Sequence, residues 1–134
     1  MKRYLVLPVI ALILCACGAQ IHAFKPEDLI NHRYVLSEVN GVPFVAEPMP
    51  VLAFAGDMHI SGAFCNNFAG KAEFKGSIIL AKNLVSTRKW CFDDKLNALE
   101  SSFMHMLGTG MEVALSGETL TLRQGEHSFT YRRL

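Results

Sequence analysis

The chain has 134 residues, of which 51% are hydrophobic and only 19% are charged. It carries 13 basic and 12 acidic side chains, so it lacks the surplus of Lys and Arg that phosphate contacts with a nucleic acid require. Nine Phe, three Tyr and one Trp argue against disorder, because aromatic side chains supply the core that a disordered segment lacks. These figures predict a folded domain with no nucleic-acid partner.

The N-terminus has the three parts of a secretory signal peptide. Lys2 and Arg3 give a positive start, Leu5 to Leu14 form an apolar run, and small residues follow. The run is too short to cross a bilayer, which takes about 20 apolar residues. We therefore predict a signal peptide at residues 1–16, a tether at 17–23 and a globular domain at 24–134.

The end of this signal, Leu14-Cys15-Ala16-Cys17, resembles the lipoprotein box of bacteria. Cleavage by the lipoprotein signal peptidase needs a small residue before the cut, as Ala16 is, and diacylglycerol is transferred to the thiol of the next residue. Cys15 is a poor competitor because bulky Leu14 precedes it. The alternative is a secreted protein without lipid, cleaved at a small-x-small site such as the one that ends at Ala23.

The residue after the lipidated cysteine indicates which membrane a bacterial lipoprotein is delivered to. Gly18 follows Cys17, and its resemblance to enterobacterial lipoproteins implies delivery to the outer membrane, with the domain facing the periplasm. The covalent lipid on Cys17 would hold the protein there, because each buried methylene contributes about 0.8 kcal/mol. We expect no other cofactor.

Most predicted elements of the domain are short strands. Lys25 to about His32 is predicted as a short helix, because Pro and acidic residues favour a first helical turn. Asn40-Gly41 is the strongest hairpin signal in the chain. The predicted strands are Arg33–Val39, Val51–Ala55, Met58–Ser61, Lys71–Phe74, Ser77–Ala81, Leu84–Thr87, Glu112–Leu115, Thr119–Arg123 and Ser128–Arg132.

A second helix is predicted to begin at Asp93 or Asp94 and to end at Gly108 or Gly110. Its polar face lacks Lys and Arg, so packing against a sheet is favoured over binding to lipid. The expected fold class is α+β: a mainly antiparallel curled sheet or small barrel, a packed helix in the C-terminal half and a short N-terminal helix. The apolar stripe of the second helix consists of Leu96, Leu99, Phe103, Met106 and Leu107.

Cys65 and Cys91 have three interpretations. An oxidising periplasm favours a disulfide, because these are the two cysteines that remain beyond the signal region and the anchor. Such a bond closes a loop of about 27 residues and stabilises the fold by roughly 3.5 kcal/mol on the chain-entropy model. A catalytic dithiol is less favoured because the spacing is not C-x-x-C. A metal site is weaker again, since the histidines are scattered.

Polar residues flank both cysteines. They are either a small recognition site or structural groups that satisfy the backbone at turns, and the structural interpretation is the stronger. Nearby Trp90 and Phe92 are expected in the core; if exposed, they would indicate a patch for a partner. The candidate recognition residues are Asn66, Asn67, Thr87 and Arg88.

No catalytic motif is present in the sequence. There is no G-x-S-x-G, no H-E-x-x-H and no glycine loop that would cradle phosphate. Asp93 and Asp94 are adjacent and are best explained as the start of a helix, where the dipole favours acids. We expect no enzymatic activity, no catalytic residues and no bound metal.

Two blocks resemble the paired signature of the META domain family, Gly-x-x-Cys-Asn-x-Phe-x-Gly followed by Thr-Arg-x-x-Cys. They are Gly62 to Gly70 and Ser86 to Cys91. The opening His32-Arg33-Tyr34-Val35-Leu36 and the ending Phe129-Thr130-Tyr131 are similar to the same family. Lys89-Trp90 departs from the pattern, because small or sulfur-containing apolar residues are commoner there.

The resemblance implies an outer-membrane lipoprotein linked to envelope and heat stress and to tolerance of the antibiotic novobiocin, with no established enzyme activity. We therefore expect a non-enzymatic module that binds an envelope protein or a small ligand. The alternative is a carrier of hydrophobic ligands or a pilotin-like chaperone, because META domains are similar in shape to a lipid-binding pilotin. A thiol oxidoreductase is a remote third.

Replacing Cys17 with Ser should abolish incorporation of labelled palmitate, because a hydroxyl does not accept the diacylglycerol group. Cys15→Ser is the matched control and should keep the label. Loss of label in the control, with label retained in Cys17→Ser, would contradict the assignment.

Overall fold

The computed structural model of the protein describes residues 23–134. The expected signal peptide, Cys17 and most of the expected tether lie outside the described residues. Lipid attachment at Cys17 therefore stays a prediction.

The described chain forms one antiparallel sheet of 11 strands that curls into a half-barrel around one main helix. The curled antiparallel sheet is confirmed, but the class is β-dominated rather than an even α+β mixture. Along the sheet the strand order is β6-β7-β9-β10-β11-β1-β3-β4-β5-β8, and β2 pairs with β1. The strands are β1 His32–Val39, β2 Val42–Pro43, β3 Val51–Ala55, β4 His59–Ala63, β5 Asn67–Lys71, β6 Glu73–Lys75, β7 Ile78–Leu80, β8 Val85–Ser86, β9 Met111–Ser116, β10 Thr119–Gln124 and β11 His127–Arg133.

The short N-terminal helix is not confirmed. Pro26–Leu29 forms a single 3₁₀ turn, and the chain does not continue as a helix to His32. Asn31 adopts a positive φ of 64°, and its N–H donates to the Phe54 carbonyl at 2.8 Å. That bond brings the chain to the edge of β3 and starts β1, so pairing with the sheet overrides the local helix signal.

The predicted strand Lys71–Phe74 is wrong in its bounds. Ala72 lies between β5 and β6, is buried, and donates its N–H to the Met58 carbonyl at 2.9 Å. β5 was not predicted, because Asn66-Asn67 and Gly70 are typical of turns. Its pairing with β4 places Phe68 opposite Gly62, where a Cβ would come within 2.5 Å of the Phe68 ring. The Phe68 ring of β5 therefore fills the space beside Gly62 of β4, where a larger side chain would not fit.

The Asn40-Gly41 hairpin forms as predicted. Both residues have positive φ values, 52° and 76°, and Val39 pairs with Val42 across the turn. The side-chain oxygen of Asn40 also accepts the N–H of Ser128 at 2.9 Å, which fixes the hairpin to β11. This turn positions the rim of a surface groove described below.

The helix α1, Asp94–Thr109, packs its apolar stripe against the sheet as its spacing predicts. Asp93 caps the helix by accepting the N–H of Leu96 at 3.1 Å. Phe103 is fully buried, and its ring centroid lies 5.0 Å from those of Phe64 and Phe129. The space between helix and sheet is therefore occupied by aromatic side chains that meet at a tilt or edge to face.

Candidate functional site

The two signature blocks meet where the turn between β4 and β5 faces the segment that leads into α1. Cys65 in the turn and Cys91 in the segment form a disulfide bond, with their Cα atoms 5.9 Å apart. We call residues 87–92 of this segment the 87–92 loop. Neither cysteine has a free thiol while this bond is formed. The dithiol chemistry considered from the sequence would therefore require the bond to be reduced first.

Asn66 is the centre of the hydrogen bonding between turn and loop. Its side chain is 7% exposed. Its Oδ1 accepts from the Thr87 hydroxyl at 2.9 Å and from the Lys89 N–H at 2.7 Å. Its Nδ2 donates to the Lys89 carbonyl at 3.2 Å and to Glu100 Oε1 at 2.9 Å. A buried amide with both polar atoms bonded in this way has no capacity left for a ligand.

Glu100 is a site residue that sequence reasoning missed. Its Oε2 accepts the N–H groups of Cys65, at 2.9 Å, and Asn66, at 2.6 Å. Bonds to a carboxylate are among the stronger ones in proteins, so α1 fixes the turn directly. A signal was present in the spacing. Glu100 lies four residues after Leu96 and three before Phe103, on the helix face that packs.

The other three candidate residues differ in their surroundings. Thr87 is structural, since its hydroxyl accepts the Asn67 N–H at 3.1 Å and its own N–H donates to the Asn67 carbonyl at 3.0 Å. Asn67, Thr87 and Arg88 are all exposed, but the Arg88 side chain forms no hydrogen bond with any residue in the range 23–134. The structure therefore brings Asn66, Asn67 and Thr87 into one bonded cluster and leaves Arg88 at its surface.

Trp90 and Phe92 do not lie in the core, so that expectation is wrong. Trp90 is 78% exposed and Phe92 is 101% exposed. The loop is held to the body of the domain through the Thr87 hydroxyl, the Lys89 backbone and the Cys91 disulfide, and these contacts leave the Trp90 and Phe92 side chains uncovered.

A groove lies between α1 and the β1–β2 hairpin, and we call it the hairpin groove. Its volume is about 360 Å³. Lys95 stands beside it, with its ammonium nitrogen 5.9 Å from the centre of the Phe44 ring. Its apolar lining includes Val42, Ala98, Leu99, Met106 and Phe129.

The described residues show little acid–base or metal chemistry. Burial raises the pKa of the Tyr131 phenol far above its usual value, so this hydroxyl stays protonated. No group of three or more His, Cys, Asp or Glu side chains within residues 23–134 is placed to hold a metal ion. In the same range, no helix is both long enough and apolar enough to span a membrane.

The architecture and the site together define a class: a small β half-barrel closed by one helix, with a disulfide and a buried asparagine fixing the loop before that helix. The model of the META domain family matches residues 27–133, and the chain belongs to this family. The resemblance seen in the sequence is thereby confirmed.

Known relatives agree with this assignment. Heat shock protein HslJ of Escherichia coli (strain K12) is 34% identical over 134 residues, covering 98% of this chain and 96% of the relative. A structure solved by NMR matches with a TM-score of 0.74 and 36% identity, over 81% of this chain and 94% of its own. An NMR structure from Burkholderia xenovorans shares the fold, with a TM-score of 0.64 at 18% identity over 100% of this chain and 99% of its own. Neither the family description nor the name HslJ denotes an enzyme.

Replacing Asn66 with Ala should lower the free energy of unfolding by about 3 kcal/mol, because Lys89, Thr87 and Glu100 all lose a buried partner. Asn67→Ala is the matched control. Its side chain is exposed, so the loss should stay within about 0.5 kcal/mol. Urea unfolding of both variants measures the difference, and equal stabilities would contradict the structural role of Asn66.

Proposed function

We propose that this protein is a periplasmic lipoprotein of the stress response, anchored to the outer membrane through Cys17, that supports tolerance of novobiocin as a non-enzymatic binding module. The heat-shock name of the relative HslJ supports the link to stress. The Leu14-Cys15-Ala16-Cys17 box and Gly18 support the anchor and its destination. The link to novobiocin and the absence of catalysis are what resemblance to the family implies.

The observation that carries a binding role is the exposed side of the 87–92 loop. Arg88, Trp90 and Phe92 face solvent while the residues between them are held by the body of the domain. Exposed aromatic rings beside a cation are typical of binding surfaces. Holding the loop in one conformation before contact reduces the entropy lost on binding.

Replacing Arg88 with Ala should weaken novobiocin tolerance and change the free energy of unfolding by less than about 0.5 kcal/mol, because the side chain is exposed. Arg123→Ala, an exposed arginine on β10, is the control and should leave tolerance unchanged. The two readouts are growth under novobiocin and thermal unfolding.

Two results would contradict the role of Arg88 in recognition. One is unchanged tolerance in cells that contain the variant at normal levels. The other is a large drop in stability alongside lost tolerance, because that outcome assigns Arg88 to the fold rather than to a binding surface.

A second candidate is a carrier of small hydrophobic ligands or a pilotin-like chaperone, and the hairpin groove favours it. The groove is lined mainly by apolar side chains, and Lys95 offers a cation beside it. Ligand sites of this size commonly combine an apolar lining with few polar groups. The half-barrel interior is filled by Phe103 and its neighbours, so a ligand would bind in this surface groove.

Filling the groove tests the carrier function. Ala98→Phe should weaken binding of a fluorescent fatty acid at least tenfold, because the new ring occupies the groove. Ser101→Phe places the same ring on α1 outside the groove and should bind as the unchanged protein does. Absence of fatty-acid binding by the unchanged protein, or equal binding by both variants, would contradict this candidate.

A further inference from the structure

We propose that the 87–92 loop rests on an anionic phospholipid surface, with Trp90 and Phe92 at the level of the headgroups and Arg88 and Lys89 on their phosphates. This inference deepens the proposed function and relies on its anchor at Cys17 only to bring the bilayer within reach. It assigns the loop a partner of defined chemistry.

The apolar part of the argument is the exposure of two large rings separated by one residue. Trp90 and Phe92 stand on either side of Cys91, and both are largely or fully exposed. Water solvates such rings poorly, and aromatic side chains concentrate where bilayer and water meet. The two rings are therefore expected to be more stable in the headgroup layer than in bulk water.

The charges beside the rings have the sign that anionic headgroups need. Arg88 and Lys89 are exposed, and neither forms an ion pair with any residue in the range 23–134. Three acids lie nearby and keep their negative charge, but none pairs with these cations. Asp93 caps α1, Asp94 lies in its first turn and Glu100 binds the turn at Cys65. Arg88 and Lys89 are thus free to bind phosphate, and each is expected to strengthen binding by up to about fivefold, because the charges of Asp93 and Asp94 oppose part of the attraction.

The loop is fixed before it meets a surface. The Cys91 side chain is bonded to Cys65, its carbonyl accepts from the Asn97 side chain at 2.7 Å, and Lys89 is held through its backbone by Asn66. Little ordering is left to occur when the rings enter the headgroup layer. Preorganisation of this kind improves affinity without new contacts.

The proposed anchor also keeps a bilayer near the domain. If lipid is attached at Cys17, about six residues join it to the described domain, and such a tether reaches at most about 20 Å. Headgroups then lie close to the domain as a whole, and the loop meets them when the domain turns toward the bilayer the strand end that is away from the start of β1. A protein partner would need the same rings, and the experiment below separates the two.

The soluble domain, residues 23–134, is the form to test, because it has no lipid of its own. It contains the complete aromatic core, and the NMR structure at 36% identity matches a similar extent of chain. The chain has one tryptophan, so its emission reports Trp90 alone. Vesicles of phosphatidylglycerol and phosphatidylethanolamine should shift this emission to the blue, and vesicles of phosphatidylcholine should do so much less. High salt should reverse the shift, because it screens the attraction.

Variants that keep Trp90 as reporter test each part of the surface. Phe92→Ser should weaken vesicle binding about tenfold, because a ring is lost from the interface. Arg88→Gln and Lys89→Gln should each weaken it by up to about fivefold. Val45→Ser removes an apolar side chain that is 87% exposed elsewhere, and Arg123→Gln removes a distant cation; both controls should bind as the unchanged domain does.

Unchanged Trp90 emission with anionic vesicles would overturn the membrane contact, and so would equal binding by the loop variants and their controls. An equal response to phosphatidylcholine would overturn the role of the cations. The proposed function fails differently. If Arg88→Ala lowers novobiocin tolerance while no vesicle shifts Trp90, the binding module stands and the loop binds a protein instead.

Discussion

The buried side-chain amide of Asn66 is the interaction on which the rest of the site depends. It joins three parts of the chain: the turn after β4, the 87–92 loop and α1 through Glu100. Because an unpaired buried amide is costly, these parts must sit where both of its polar atoms find partners. The Cys65–Cys91 disulfide adds a covalent link between the same turn and loop.

That constraint explains how the loop can be rigid and yet carry exposed rings. The Thr87 hydroxyl and the Lys89 backbone bond to Asn66 and Cys91 bonds to Cys65, while the Trp90 and Phe92 side chains face solvent. In the core, apolar residues are held by packing around Phe103. Here polar and covalent bonds hold the backbone, so the loop's apolar side chains are available for a surface. Folding thus uses the backbone of this segment with Thr87 and Cys91, and the proposed binding uses its exposed side chains.

Prediction from sequence was reliable where the determinants are local. The spacing of Leu96, Phe103 and Leu107 indicates the helix face that packs, and Asn40-Gly41 indicates a hairpin, because both patterns depend on neighbouring residues. It failed where a contact with a residue far along the chain determines the local structure. The hydrogen bond from Asn31 to Phe54 ends the N-terminal turn before His32. Trp90 and Phe92, which were expected in the core, are exposed.

The sequence by itself determined the family, through a Cys-Asn block and a Thr-Arg-x-x-Cys block, and it determined the main helix and most strands of a curled sheet. Only the tertiary structure decided what the signature residues do. Asn66 and Glu100 are 34 residues apart, and the fold brings them within 2.9 Å. No local pattern encodes that contact, because it depends on how the sheet curls against α1. Burial separates the candidates as well, since Asn66 is buried and Arg88 is exposed at the surface.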